Sequence, residues 1–103
     1  MGWRVATVAG ASMAPTLGDG DRLLVRFGAK PRAGRLVLAR FPHRPDVIVV
    51  KRAVRASGSG WLVLGDNPAE SDDSRAHGPA DVIGRAWRWR RGSRDQPRAR
   101  SSA

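Results

Sequence analysis

The chain contains no cysteine and no tyrosine, and lysine is nearly absent. Without cysteine there are no disulfides, no thiolate zinc sites and no cysteine nucleophile, which fits a reducing or redox-indifferent compartment. Long apolar runs are missing too. The longest stretch free of charge, Val5 to Gly18, is fourteen residues and is broken by Gly, Ser, Thr and Pro. A membrane span needs about twenty mostly apolar residues, and the N-terminus does not combine a basic start, an apolar segment and a small-residue cleavage site. The expectation is therefore a cytoplasmic protein without an export signal or a transmembrane anchor, with peripheral contact at the cytoplasmic membrane as the alternative. Acidic residues are scarce: nine against nineteen Lys and Arg, a formal charge of +10. Such a balance attracts phosphates, anionic lipids and acidic polypeptides without choosing among them.

What is present is enough for one domain with a modest core: 103 residues, 41% of them hydrophobic. Short Val/Leu/Ile-rich runs recur between Gly, Pro and Asp punctuation, at Trp3 to Val8, Arg22 to Phe27, Arg35 to Phe41, Val47 to Val54, Trp61 to Leu64 and Val82 to Trp89. Their spacing predicts strands of a small, mostly antiparallel all-β fold, and no segment sustains a helical apolar period. The unbroken apolar run before Lys51 predicts a central strand buried on both faces. Residues 55 to 60 read as a hairpin loop, while residues 9 to 20 and 66 to 81 form loops long enough to suggest function. The domain is placed at residues 1–89. From Arg90 to Ala103 the composition is Arg, Ser, Gly, Pro, Asp, Gln and Ala, which predicts a basic disordered tail.

Of the nineteen basic residues only Lys30 and Lys51 are lysine. Wherever charge alone is wanted the chain uses Arg, so a Lys inside an apolar strand points to an amine that must lose its proton. Burial disfavours the charged form, and a neutral amine can act as a general base on a hydroxyl. Ser12, in Gly10-Ala11-Ser12-Met13-Ala14-Pro15-Thr16, is the candidate hydroxyl, set among small residues whose backbone N–H groups could face an oxyanion. Taken separately each residue has a plain explanation: Ser12 as a turn residue, Lys51 with its ammonium snorkelling to water. Asp21, after Gly20, reads as a residue that starts a strand and caps a loop.

The acidic run from Asp66 to Asp73 could suggest calcium, but its spacing matches no EF-hand and Arg75 would oppose a cation. A structural use fits better, with Asp73 and Arg75 pairing to hold the loop and the Ser71 hydroxyl orienting the amine. His43 or His77, backed by Asp72 or Asp73, offers a His-based triad as an alternative, although both His read as exposed loop residues. Two distant His without Cys make a poor metal site, and no cofactor is called for.

Taken in order, Ser12-Met13-x-Pro15-Thr16, Gly20-Asp21, Lys51-Arg52, Gly65-Asp66-Asn67, Ser71-x-Asp73-Ser74-Arg75 and Gly84-Arg85-Ala86 resemble the S26 family of type I signal peptidase-like serine peptidases. The likeness covers roughly residues 8 to 87. It implies a signal-peptidase/LexA-like catalytic β fold, Ser12 as nucleophile, Lys51 as general base and the Ser12 backbone amide as oxyanion donor. By the same resemblance Ser71 orients Lys51, and Asp66, Asp73 and Arg75 support the site. Departures matter as well: only eleven residues precede Ser12, Arg52 to Leu64 leaves space for a hairpin rather than an accessory β domain, and Gly10 stands where some members carry a Ser.

The implied partner is a soluble precursor protein with a cleavable N-terminal leader, a nickel-type superoxide dismutase being the expected one. Processing of exported precursors at the membrane is one alternative. Another is a non-enzymatic nucleic-acid-binding β domain using the basic charge with Trp87 or Trp89. A self-cleaving repressor-type protein would need a DNA-binding domain or cleavable linker ahead of the site.

Overall fold

The computed structural model describes residues 2–89; the expected basic tail lies outside the described residues. Six strands form one sheet: β1 (Trp3–Thr7), β2 (Arg22–Phe27), β3 (Leu36–Arg40), β4 (Val49–Ser57), β5 (Gly60–Leu64) and β6 (Asp81–Arg88). Their spatial order is β1-β2-β6-β3-β4-β5, and every pairing is antiparallel. A mostly antiparallel all-β fold is what the alternating Val/Leu runs dictate. Among the described residues helix is confined to one 3-10 turn, Pro68–Glu70, and one four-residue turn, α1 (Ser74–His77).

The strand buried on both faces is β3, which corrects the expectation placed on the run before Lys51. Leu38 points into one apolar cluster with Val8, Met13, Leu17, Leu23, Val25 and Ala86. Val37 and Ala39, one residue to either side, point into a second with Phe41, Ala53, Val63 and Ala80. The alternation of a strand delivers both clusters from one segment. Val47 and Ile48 instead precede β4 and are 38% and 50% exposed. Continuous hydrophobicity there marks a rim and not a two-sided interior.

The predicted loop at residues 55 to 60 is also shorter than expected. Arg55, Ala56 and Ser57 pair with Leu62, Trp61 and Gly60, after a register shift between Ala53 and Arg55, so only Gly58 and Ser59 turn the hairpin. Gly58 takes φ 60°, a left-handed value that glycine adopts at little cost. No accessory domain interrupts β4 and β5. Beyond the hairpin, Trp61 and Ala80 exchange backbone hydrogen bonds of 2.9 and 2.8 Å, which draw β5 toward the start of β6 and close the sheet around the second cluster.

Candidate active site

Two long loops meet at one end of the sheet. The first, residues 8 to 21, is held at its base by Val8 N–H donating to Asp21 O and Gly20 N–H to Val8 O, both at 2.8 Å. Within it Met13 and Leu17 are almost completely buried in the first cluster. Each such burial contributes about 1.5–3 kcal/mol, so the residue directly after Ser12 is an anchor that fixes where Ser12 sits. Asp21 does cap this loop, accepting from Gly18 N–H at 2.8 Å. Asp19, which the sequence reading passed over, accepts from Gly10 N–H at 2.8 Å.

The second loop, residues 65 to 80, clamps the first. Asn67 N–H donates to Ser12 O at 2.9 Å, and Asn67 Nδ2 donates to Ala11 O at 3.0 Å. Arg52 reaches from β4 to grip Asp66 with two nitrogens, Nε to Oδ1 at 2.9 Å and Nη2 to Oδ2 at 2.6 Å, while Thr16 Oγ1 donates to Asp66 Oδ2 at 2.6 Å. These bonds hold the Asp66 carboxyl below its ordinary range, with the Arg52 hydrogen bond the main cause, and raise the Arg52 guanidinium correspondingly. Asp66 thus ties both loops to β4. Arg52, Thr16 and Asn67 belonged to the recognised motifs, yet sequence alone assigned them no role because side-chain direction is invisible there.

Lys51 lies on β4, only 3% exposed. Its Nζ donates to Ser71 Oγ at 3.1 Å, and Ser71 Oγ donates in turn to Asp73 Oδ2 at 2.6 Å. Asp73 is 1% exposed and caps α1 through Arg75 N–H. It also accepts from Gly65 N–H at 2.7 Å and from the Arg75 guanidinium at 2.6 and 3.0 Å. Burial opposes its ionisation, but the bonds from Arg75, Ser71 and Gly65 together outweigh that cost and hold the carboxyl far below 3.8. Ser74 Oγ accepts from Val63 N–H at 2.9 Å and fastens α1 to β5.

Desolvation dominates at Lys51 and lowers its pKa from 10.5; Asp73 and then Asp72 oppose the shift, and Arg75 assists it. Ser12 and Lys51 line the same two adjoining cavities, of about 260 and 300 Å³. Among the described residues no hydrogen bond joins Ser12 Oγ to Lys51 Nζ, the amine's bond going to Ser71. Thr7, Val8 and Ala9 form one wall of the larger cavity, and Val47 to Val50 form the other.

His77 is not the fully exposed loop residue the sequence suggested. Its Nε2 contacts Asp72 Oδ1, and its ring packs 4.4 Å from His43 and 5.2 Å from Phe41 between centroids. Arg44 approaches Asp72 from the other side at 3.4 Å. Asp72 lines the smaller cavity together with Ser12 and Lys51, so this cluster forms its charged rim. Asp73 is committed to Arg75, Ser71 and Gly65 and does not back either His. No group of three or more metal-ligating side chains occurs among the described residues.

Gly65 is what lets the two loops close over Lys51. A Cβ at that position would lie 2.0 Å from Ser71 Oγ and 2.6 Å from Ser12 O. The comparison with protein families gives a match to the Peptidase S24-like family over residues 3–87. No curated protein matches the chain.

Proposed function

The chain belongs to the Peptidase S24-like family, and on that premise we propose that it is a serine endopeptidase in which Lys51 activates Ser12. The observation that carries this is the buried relay from Lys51 Nζ through Ser71 Oγ to Asp73, beside a cavity that Ser12 also lines. One N–H of the amine is spent on Ser71, which leaves the nitrogen lone pair available toward Ser12. Desolvation lowers the amine's pKa and increases its neutral fraction. Hydrogen bonds of this kind tighten when substrate excludes water, so a loose Ser12–Lys51 approach in the free protein fits the role.

In the proposed reaction neutral Lys51 Nζ takes the Ser12 proton as Oγ attacks the scissile carbonyl. The oxyanion is held by the Ser12 N–H, which donates to no acceptor among the described residues. The Lys51 ammonium then protonates the departing amine, and water deprotonated by the same nitrogen hydrolyses the acyl-enzyme. Substrate would enter as an extended strand. β1 is an edge strand, and β4 pairs with β5 only from Arg52 onward, so residues 49–51 keep one backbone edge unpaired in the sheet. A peptide between these edges gains main-chain hydrogen bonds while its scissile bond lies over Ser12.

The narrower reading is an S26-type peptidase that removes an N-terminal leader from a precursor protein. It rests on the motif order from Ser12-Met13-x-Pro15 to Gly84-Arg85-Ala86 and on the short β4–β5 hairpin in place of an inserted domain. A compact Arg-rich core of this kind resembles the maturation protease of nickel-type superoxide dismutase, and the precursor of that enzyme is the proposed substrate. The test is cleavage of that precursor by wild type, Ser12→Ala, Lys51→Ala and Lys51→Arg. Wild type cuts at the leader junction with a rate that rises toward alkaline pH, and all three variants are inactive. A Lys51→Arg protein that still cleaves refutes the amine as base, since guanidinium keeps its proton.

A further inference from the structure

The outer face of β1, β2 and β6 carries three of the four tryptophans, and no part of the proposed chemistry uses them. Trp3, Val5 and Thr7 share that face with Arg26, Leu24 and Arg22, which sit opposite them on β2. Arg85 and Trp87 continue it on β6, opposite Arg26 and Leu24, and Trp89 N–H extends the ladder to Arg22 O at 3.0 Å. Trp3, Val5 and Trp89 are 49%, 51% and 43% exposed. Arg26 and Arg85 lie directly across from each other, a like-charge pairing that costs stability in a sheet. None of Arg22, Arg26 and Arg85 forms an ion pair among the described residues.

We propose that this face docks on an anionic phospholipid bilayer. Unpaired guanidiniums next to exposed indoles and aliphatic side chains match a surface where phosphates lie beside acyl chains, and indoles favour the headgroup level. Single-stranded nucleic acid fits less well, because stacking needs free aromatic faces. The Arg26 guanidinium lies 5.3 Å from the Trp3 ring centroid and that of Arg85 4.7 Å from Trp87, while the two indoles pack against each other at 5.1 Å with a 49° tilt. Val5 and Leu24 between them offer bases nothing to stack on. Val5 and the exposed Ile48 line one cavity at the free edge of β1, so apolar surface continues past that edge. Docking on this face would hold the cleft between β1 and residues 47–50 beside the bilayer, where a surface-bound polypeptide could reach it.

The test is co-sedimentation of the full chain with phosphatidylcholine vesicles and with mixed phosphatidylcholine/phosphatidylglycerol vesicles. Wild type binds the mixed vesicles and releases them as salt rises. Arg22→Gln and Arg26→Gln each weaken binding by roughly fivefold, the contribution of one basic residue near an anionic surface. Trp3→Thr weakens it with the salt dependence unchanged, and matched circular-dichroism melts show that the variants fold. Unaltered binding by all three variants overturns the proposal, since attraction would then come from elsewhere on the basic chain. So does displacement of protein from the vesicles by an equal phosphate concentration of single-stranded oligonucleotide. Ser12→Ala protein binds like wild type, so a failure here and a failure of the protease reading are separate results.

Discussion

Replacing Gly65 by Ala adds a single methyl group at the point where the nucleophile loop, the orienting serine and the acidic loop converge. The new carbon would stand 2.0 Å from Ser71 Oγ, 2.5 Å from Ser71 Cβ and 2.6 Å from Ser12 O. Ordinary contact needs about 3.4 Å or more between such atoms, so one or both loops must retreat by roughly 1 Å. Neither can do so cheaply. Ser71 is held by Lys51 and Asp73, and Ser12 O by Asn67, with Met13 locked in the core beside it. Overpacking of this kind costs about 1–3 kcal/mol of stability. A displacement of about 1 Å at a reacting group costs on the order of a hundredfold in rate. The assay is kcat/KM on the leader-bearing precursor, with thermal unfolding followed in parallel. The fold survives, with Tm lowered by several degrees, while kcat/KM falls about a hundredfold. A Gly65→Ala enzyme within threefold of wild type would refute the claim that the two loops are positioned by their closeness at Gly65.

Two further outcomes follow from the electrostatics. Asp72 opposes the lowering of the Lys51 pKa and is itself exposed at the cavity rim. Asp72→Asn therefore moves the rising limb of the pH–rate profile, which follows the loss of the Lys51 proton, to lower pH with no loss of maximal rate; a shift in the opposite direction contradicts the assignment. Asp73 has a folded pKa depressed below its unfolded value near 3.8, so its contribution to stability is complete above that value and is lost as pH falls through the folded one. Asp73→Ala leaves the buried Gly65 N–H unsatisfied, a cost of about 1–3 kcal/mol at neutral pH. The difference from wild type should shrink in melts taken at successively lower pH below 4. A difference that stays constant across that window would mean that the carboxylate charge is not what matters.

The sequence placed all six strands within a few residues because Val/Leu runs between Gly and Pro punctuation carry their own period. It misjudged which strand is central. Val47 and Ile48 are as hydrophobic as any core residue, but burial on two faces depends on neighbours in the sheet, and those neighbours went to β3. The convergence of Ser71, Asp73 and Arg75 near Lys51 was expected from the resemblance, and the structure brings those side chains together. The joint grip of Arg52 and Thr16 on Asp66 was not legible, since it depends on two loops distant in sequence meeting over one strand. The pairing of His77 with Asp72 was among the alternatives the sequence offered, but His77 read there as exposed, because its packing against His43 and Phe41 arises only when the two turns fold together. Met13 stood in the sequence only as part of the Ser12 motif, and the packed interior reveals it as the anchor of the nucleophile loop.

Because the chain holds just two lysines, the titration of Lys51 can be followed directly. With lysine labelled with carbon-13 at the ε position, the NMR spectrum of Ser12→Ala protein contains two ε signals, one from Lys51 and one from the exposed Lys30, assigned by Lys30→Arg. If a buried amine serves as the base, the Lys51 signal titrates with a midpoint clearly below 10.5. A midpoint at or above that value would leave the amine charged at working pH and contradict its activation of Ser12.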